Sequence, residues 1–191
     1  QGIVLSEAEN ELRLFAEKSG IPVASTLLGL GAFPNNHPQY VGFLGMHGDY
    51  APNIKTNQCD VLIAVGMRFD DRVTGDVSRY AKQAKVIHVD IDASEINKII
   101  KADVAVHADA KEALQLLTQL VLEKKHATWL EEFKIGKQKE LAVLGESAKA
   151  LSSDEIKMDE VVKLLSEITN GEAVVVTDVG QHQMITARYY Q

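Results

Sequence analysis

The densest group of residues that could do chemistry runs from Gly66 to Gly75 and reads Gly-Met-Arg-Phe-Asp-Asp-Arg-Val-Thr-Gly. It directly follows an apolar run, Asp60–Val65, which is typical of a parallel strand buried on both faces. The Arg68 guanidinium can bind a diphosphate through two parallel hydrogen bonds, and Asp70 or Asp71 could hold it in position. The alternative is a solvated loop whose charges pair with one another at little energetic gain. The position at a strand end favours a binding site.

Small or acidic residues also follow the other apolar runs, in Thr26-Leu27-Leu28, Asp90-Ile91-Asp92 and Asp109-Ala110. In a doubly wound sheet the carboxyl ends of the strands form the ligand crevice, so this set suggests a nucleotide lying across one sheet edge. Turns need the same residue types, and each segment taken alone has that simpler explanation. Another loop, 44–48, holds Met46 and His47 between two glycines. The His47 side chain could stack on or hydrogen-bond a planar ring, although a single histidine in a loop is more often structural.

Other catalytic signatures are weak. Gly29 and Gly31 begin a dinucleotide fingerprint, but Pro34 stands where the third glycine belongs, so NAD binding has little support. No Ser-His-Asp or Cys-His arrangement can be identified, and no histidines have the spacing of zinc ligands. Cys59 is interpreted as a small core residue. We therefore assign no catalytic residue and no metal ligand within the chain.

A second anion site is predicted near the end of the chain. The apolar run 173–176 reads as a strand, Thr177-Asp178 closes it, and Gly180 forms a turn. The polar pair Gln181-His182 then opens a helix, whose N-terminus favours an anionic ligand.

The elements that position these residues alternate between strands and helices. Strands are predicted at 2–5, 21–26, 60–65, 86–92, 104–107 and 173–176. Helices are predicted after a capping box at Ser6–Glu9, at 93–100, at 110–122, within the charged region 123–158, and at 159–169 with Val162, Leu165 and Ile168 inward. A connector is expected around 152–154. Such alternation predicts an α/β fold with a doubly wound parallel sheet.

Composition limits the class of protein. The 191 residues are 46% hydrophobic and 25% charged, as in globular domains, and the net charge of −7 disfavours nucleic-acid and anionic-membrane partners. No apolar run approaches the roughly 20 residues that span a bilayer. The single cysteine fits a reducing, cytoplasmic compartment. Because the sequence opens within an apparent strand and stops a few residues into an apparent helix, we expect it to be a piece of a longer protein.

Together these motifs resemble the acetolactate synthase (acetohydroxyacid synthase) large-subunit family of thiamine-diphosphate enzymes. The most specific matches are Arg-Phe-Asp-Asp-Arg-Val-Thr-Gly at 68–75 and Gly-Gln-His-Gln-Met at 180–184. Further matches lie at 25–29, 44–48 and 88–92, although Ile185 stands where the family usually has tryptophan. The resemblance implies a Rossmann-like central FAD-binding domain at 1–150, missing part of its first strand. It also implies a linker and the truncated start of the diphosphate-binding domain at 151–191.

By the same resemblance, one set of residues would contact FAD and another would approach the phosphates of thiamine diphosphate. The FAD set is Gly2, Thr26, Leu27, Leu28, Met46, His47, Gly66, Arg68, Asp70, Arg72, Val73, Asp90, Ile91, Asp109 and Ala110. The thiamine-diphosphate set is Gly180, Gln181 and His182. The Mg²⁺ ligands and the glutamate that activates thiamine would lie in domains absent from these 191 residues.

The family's activity is the condensation of two pyruvates, or of pyruvate and 2-ketobutyrate, with loss of CO₂, in branched-chain amino-acid biosynthesis. The resemblance implies a homodimer or tetramer, with a regulatory subunit in many members, and FAD in a structural role. The 191-residue chain alone is expected to be inactive.

Three alternatives remain open from the residues alone. The chain could be the central domain of another thiamine-diphosphate enzyme, such as pyruvate oxidase or glyoxylate carboligase. It could be a non-catalytic NAD-binding module, against which the incomplete glycine fingerprint speaks. It could also be an interaction domain that docks through the charged helix at 128–147, although a solvated helix explains that region more simply.

Overall fold

A computed structural model describes residues 1–149 and 156–190. The chain divides into two compact units, Gln1–Lys137 and Gln138–Gln191. The predicted connector at 152–154 and the predicted domain boundary at 150/151 lie outside the described residues.

The first unit contains five parallel strands in two sheets. Strands β1 (Val23–Ser25) and β2 (Tyr40–Phe43) form one sheet, and β3 (Val61–Val65), β4 (Lys85–Asp90) and β5 (Val104–His107) form the other in that order. Pairing of Val65 with Val89 and of Asp90 with His107 brings the carboxyl ends of β3, β4 and β5 to one edge. The prediction of an α/β fold with parallel sheets is confirmed.

Helices cover one face of β3, and residues of the loops and turns after β3 and β4 cover the other. In chain order the first unit has α1 (Gly2–Leu5), α2 (Glu9–Ser19), α3 (Tyr50–Thr56), α4 (Asp71–Thr74) and α5 (Ala110–Leu120); α6 (Ala127–Lys149) begins there and ends in the second unit. Ile63 and Val65 face a core cluster that contains Phe15 of α2 and Leu114 of α5. Ala64 faces the opposite cluster, around Phe69 and Tyr80. Side chains that alternate between two apolar layers explain why this strand reads as a continuous apolar run.

The prediction of a strand at 2–5 is wrong, since Gly2–Leu5 forms one helical turn. Ser6 hydrogen-bonds back to the carbonyls of Gly2 and Ile3, so it ends α1 and does not cap α2. The predicted capping box is therefore absent, and α2 begins after Ala8. Four apolar residues fit a helical turn as well as a strand, so periodicity could not separate the two.

Two further interpretations need correction. Residues 93–100 form consecutive turns where a helix was predicted, because the Asp92 side chain binds the Ser94 N–H and Asn97 adopts a positive φ of 63°. Strand β2 was not predicted, because Gly42 interrupts a run of only four residues. After β1, a short 3₁₀ turn spans Leu27–Gly29 and leads into an irregular loop that continues to β2.

In the second unit, helices α7 (Met158–Ile168) and α8 (Gln181–Tyr189) pack together. The Tyr190 hydroxyl lies 2.7 Å from Thr169 Oγ1 and accepts the Ala173 N–H at 3.1 Å. Val162 is buried as predicted, whereas Leu165 and Ile168 are exposed. The predicted strand at 173–176 is not formed: these residues pair with no strand among the described residues, so no ladder satisfies their backbone groups.

A close backbone approach in the first unit joins Gly2 to Gly66. The Gly2 N–H donates to the Gly66 carbonyl at 2.8 Å. A β-carbon on Gly66 would lie 2.6 Å from the Gly2 Cα, and one on Gly2 would lie 2.5 Å from the Gly66 Cα. Gly66 also has a φ of +58°, so both space and backbone conformation require glycine there.

Gly66→Ala is expected to lower the free energy of unfolding by about 2–5 kcal/mol, the sum of overpacking and left-handed backbone costs. Gly31→Ala is the matched control, because Gly31 has a φ of +85° but no atom within 4 Å of the position that an alanine methyl group would take. The control is expected to lose only about 1–2 kcal/mol. Denaturant unfolding measures both, and equal losses would contradict the close approach.

Candidate functional site

The carboxyl ends of the strands form a continuous row of hydrogen-bonded backbone. Gly2 donates to the Gly66 carbonyl, and the Gly66 N–H donates to the Val89 carbonyl at 2.9 Å. The Ala108 N–H then donates to the Asp90 carbonyl at 3.2 Å. The predicted sites after β3, β4 and β5 therefore lie side by side, together with the start of α1.

The loops after β1 and β2 join the same edge. The Leu44 N–H donates to the Ser25 carbonyl at 2.8 Å, which places the loop 44–48 beside the turn that begins at Thr26. The Met46 N–H donates to the Arg72 carbonyl at 2.7 Å, which fixes this loop against α4. Met46 and His47 both remain exposed.

Arg68 and Arg72 provide the positive charge of this edge. Arg68 Nε lies 3.1 Å from Asp70 Oδ2, and the Arg68 side chain is 65% exposed. Arg72 lies 3.6 Å from Asp71, and its side chain is 70% exposed. Because Asp70 also accepts the Arg72 N–H, one carboxylate caps α4 and orients Arg68. Both guanidinium groups retain donors directed to solvent, where an anion could bind.

The carboxylates of the edge are already engaged in local hydrogen bonds. Asp90 accepts the Asp92 N–H at 2.9 Å, and Asp109 caps α5 by accepting the Lys111 N–H at 2.8 Å. Hydrogen bonds from Ser94 lower the pKa of Asp92. These carboxylates therefore stabilise turns and a helix start, which was the simpler explanation of their positions. Each still has a second oxygen or lone pair that can accept a hydrogen bond from a ligand hydroxyl.

A buried histidine packs against the loop that carries Arg68. His88 on β4 is fully buried, and its Nε2 donates to the Met67 carbonyl at 2.9 Å. Its ring meets Phe69 edge-on at 5.0 Å, and its Nε2 lies 3.8 Å from the Asp90 carboxylate. His88 Nδ1 has no hydrogen-bond partner among the described residues. His88 thus binds the Met67 carbonyl before Arg68 and packs against the Phe69 ring after it.

Other sequence candidates do not form a catalytic group. The turn that contains Gly29 and Gly31 continues into irregular loop, as the incomplete fingerprint indicated. Cys59 donates to the Thr56 carbonyl at 3.1 Å, and burial followed by the neighbouring Asp60 raises its pKa, so the thiol form is favoured. Within residues 1–149 and 156–190, no three His, Cys, Asp or Glu side chains are grouped as metal ligands. No helix of the described part is long and apolar enough to cross a membrane.

The fold brings most of the predicted site residues together on the first unit. The group comprises Gly2, Thr26, Leu27, Leu28, Met46, His47, Gly66, Arg68, Asp70, Arg72, Val73, Asp90, Ile91, Asp109 and Ala110, all at the strand ends or in the turns that follow them.

The remaining three predicted residues lie in the second unit. Gly180 precedes α8, and Gln181 and His182 occupy its exposed first turn, which has no acidic residue. The predicted helix start is confirmed. Its free N–H groups and positive dipole end are suited to an anion.

Comparison with known protein families identifies the first unit. The family model described as "Thiamine pyrophosphate enzyme, central domain" matches residues 1–117, more than half of the chain. The chain belongs to the thiamine pyrophosphate enzyme family. Its β3–β4–β5 sheet and the strand-end loops all lie within the matched central domain.

Several relatives of the chain are named acetolactate synthases. The chain is 43% identical to the acetolactate synthase large subunit of Buchnera aphidicola subsp. Schizaphis graminum, over 100% of the chain and 33% of the relative. It is 43% identical to the large subunit of Lactococcus lactis, over 99% of the chain and 32% of the relative. It is 44% identical to the chloroplastic acetolactate synthase 1 of Zea mays, over 94% of the chain and 28% of the relative. The chain spans about a third of the length of these curated relatives.

Sequence reasoning included His88 only in the motif at 88–92 and missed its contact with the loop that carries Arg68. The signal that could have found it was its position two residues before Asp90 in the motif at 88–92. Alternation along β4 directs His88 and Asp90 to the same face, but the contact with Met67 depends on pairing with β3.

His88→Leu is expected to lower the free energy of unfolding by about 2–3 kcal/mol, because it removes a buried hydrogen bond and an aromatic contact. His107→Leu is the matched control on the adjacent strand, since His107 also binds a backbone carbonyl, that of Ile91 at 3.0 Å, but is exposed. The control is expected to change stability by no more than about 0.5 kcal/mol. Denaturant unfolding compares them, and a small loss at His88 would contradict its supporting role.

Proposed function

We propose that FAD binds at the strand-end edge of the first unit, the edge at which the carboxyl ends of the strands and the loops after them lie. The observation that carries this proposal is the meeting of Gly2 and Gly66 beside the exposed Arg68 guanidinium. Two glycines leave the backbone at the crevice free of side chains, which suits an extended dinucleotide. The Arg68 guanidinium, which Asp70 holds in place, is planar and presents parallel N–H donors that match the oxygens of a diphosphate.

The other predicted residues support this arrangement in chemical terms. Asp90 and Asp109 offer carboxylate oxygens for ribose hydroxyls, and the exposed Met46 and His47 offer flat or polarizable surface for a ring. Thr26, Leu27 and Leu28 line the opposite side of the same edge. Arg72, Val73 and Ile91 complete the proposed set. The broken glycine fingerprint supports FAD over NAD.

We further propose that the chain is the central part of a longer enzyme that uses thiamine diphosphate and Mg²⁺. In it, Gly180, Gln181 and His182 would approach the thiamine diphosphate phosphates at the N-terminus of α8. The proposed boundary between the FAD-binding domain and the diphosphate-binding domain is 150/151. Thiamine diphosphate would supply the carbon nucleophile, and the proposed role of the described residues is to hold cofactors.

For the longer enzyme we propose acetolactate synthase activity: condensation of two pyruvates, or of pyruvate and 2-ketobutyrate, with loss of CO₂. The support is the 43–44% identity to relatives named acetolactate synthase. The chain alone is proposed to be inactive, since no catalytic group is found among the described residues. A homodimer or tetramer, a regulatory subunit, a role in branched-chain amino-acid biosynthesis and a cytoplasmic location remain predictions.

Titration of the 191-residue chain with FAD, followed by flavin fluorescence, tests the proposal, with NAD as the competing ligand. FAD is expected to saturate a single site. Arg68→Ala is expected to raise the Kd for FAD about tenfold or more, because a charge-assisted fork to the diphosphate is lost. Arg13→Ala is the matched control: Arg13 is also exposed, but it pairs with Glu17 and Asn10 on α2.

Preference for NAD over FAD would overturn the flavin assignment. An equal loss of FAD affinity in both arginine variants would mean that general positive charge, and not the Arg68 fork, carries the binding. Acetolactate formation from pyruvate by the 191-residue chain alone would contradict its proposed inactivity.

A further inference from the structure

Loop 44–48 is anchored by a side chain that lies outside the set of residues proposed to contact FAD. Asn53 on α3 accepts the Gly45 N–H through Oδ1 at 3.1 Å and donates through Nδ2 to the Gly45 carbonyl at 2.8 Å. Its Nδ2 also donates to the Asp49 carbonyl at 3.0 Å. The amide oxygen and both amide hydrogens of Asn53 are therefore engaged with the backbone of this loop and of the residue that follows it.

Gly45 is the residue at which this loop meets the loop that carries Arg68 and Arg72. A β-carbon on Gly45 would lie 2.8 Å from the Arg72 carbonyl oxygen, and Gly45 has a φ of +124°. The next residue, Met46, donates its N–H to the same carbonyl at 2.7 Å. The contact between the two loops therefore depends on where the Gly45 backbone is held.

The other hydrogen bonds of the loop do not replace those of Asn53. Asp49 binds both the N–H and the carbonyl of Phe43, at 2.8 and 2.7 Å, so it joins the two ends of the loop. The Gly45 carbonyl also accepts the Gly48 N–H at 2.9 Å. Within residues 1–149 and 156–190, however, the buried Gly45 N–H has no acceptor other than Asn53. Loss of Asn53 would leave this donor unsatisfied in the most flexible residue type.

The Met46 and His47 side chains depend on this backbone for their positions. Both side chains are exposed, and neither makes a hydrogen bond, an ion pair or a ring contact with the rest of the described chain. The backbone that begins at Gly45 therefore sets the directions in which they point.

We propose that Asn53 is a positioning residue for FAD, a role that rests on the proposed FAD site. Through its bonds to Gly45 it holds Met46 and His47 where they meet the cofactor. Asn53 acts through the backbone of the loop and not through a contact of its own with FAD. A loop that is ordered before binding loses less conformational entropy when the ligand arrives, so Asn53 strengthens binding.

FAD titration of variants of the 191-residue chain, followed by flavin fluorescence, tests the role of Asn53. Asn53→Ala removes all three hydrogen bonds. Asn53→Asp keeps the shape and the acceptor for the Gly45 N–H, but it places a carboxylate oxygen against the carbonyls that Nδ2 now binds. Both variants are expected to raise the Kd for FAD about tenfold or more.

Asn57→Ala is the matched control. Asn57 follows α3, and its side chain also holds loop backbone, since it accepts the Ala81 N–H at 2.8 Å. Ala81 lies in the turns that precede β4, at the opposite end of the sheet from the proposed site. The Kd of this variant is expected to stay within about twofold of that of the parent chain. Denaturant unfolding identifies conditions in which all the variants are folded.

A mutant cycle separates positioning from a general loss of stability. In a background that carries Met46→Ala and His47→Ala, the further change Asn53→Ala is expected to alter the Kd by less than about twofold, because the side chains that Asn53 positions are gone. A purely structural role of Asn53 predicts the same loss of affinity in both backgrounds.

Hydrogen exchange by NMR follows the loop in the absence of FAD. Asn53→Ala is expected to speed exchange of the Gly45 and Met46 amides at least ~10-fold, because the loop opens more often. The Leu44 amide, which donates to the Ser25 carbonyl, is the internal control and is expected to change little.

Four results would overturn the role of Asn53 alone, provided that Arg68→Ala still weakens FAD binding. These are an unchanged Kd in Asn53→Ala, an equal loss of affinity in Asn57→Ala, an undiminished effect of Asn53→Ala in the background without Met46 and His47, and unchanged exchange at Gly45 and Met46. Failure of the parent chain to bind FAD would overturn the proposed FAD site and the role of Asn53 with it.

Discussion

Parallel strand pairing is the constraint on which the rest of this molecule depends. Hydrogen bonds between β3, β4 and β5 fix their direction and register, so the loops that follow them emerge at one edge. Segments as distant in sequence as Gly2, Gly66 and Asp109 become neighbours there. The clustering of polar residues at this edge is therefore a consequence of backbone pairing.

The same pairing accounts for the distribution of apolar residues. A parallel sheet needs helical crossovers on its faces, and alternate residues of β3 face two separate apolar clusters. Where a strand lacks a neighbour, as between β1 and β3, the apolar side chains remain but enclose a cavity. The cavity lies between the two sheets, where β1 and β3 do not pair with each other.

The strand-end edge combines a rigid backbone with solvated charge. Gly66 is held between Gly2 and Val89, and Met67 is held by the buried His88, while the Arg68 side chain that follows them stays largely exposed. At the proposed FAD site, such an arrangement would limit the entropy lost on binding, because the backbone that carries the arginine is already ordered.

The sequence by itself determined the strands predicted at 60–65, 86–92 and 104–107 to within two residues, the helix α5 and the family, since each depends on local pattern or on a specific motif. It failed at Gly2–Leu5, at 93–100, and at 173–176, where a short apolar run or a helical pattern was equally compatible with another structure. Partners distant in sequence, Gly66 and Tyr190, hold Gly2 and Ala173, whereas the local bond from the Ser94 N–H to Asp92 decided the turns at 93–100. The contact of His88 with Met67 and the cavity between β1 and β3 likewise arise from strand order, which no local pattern encodes.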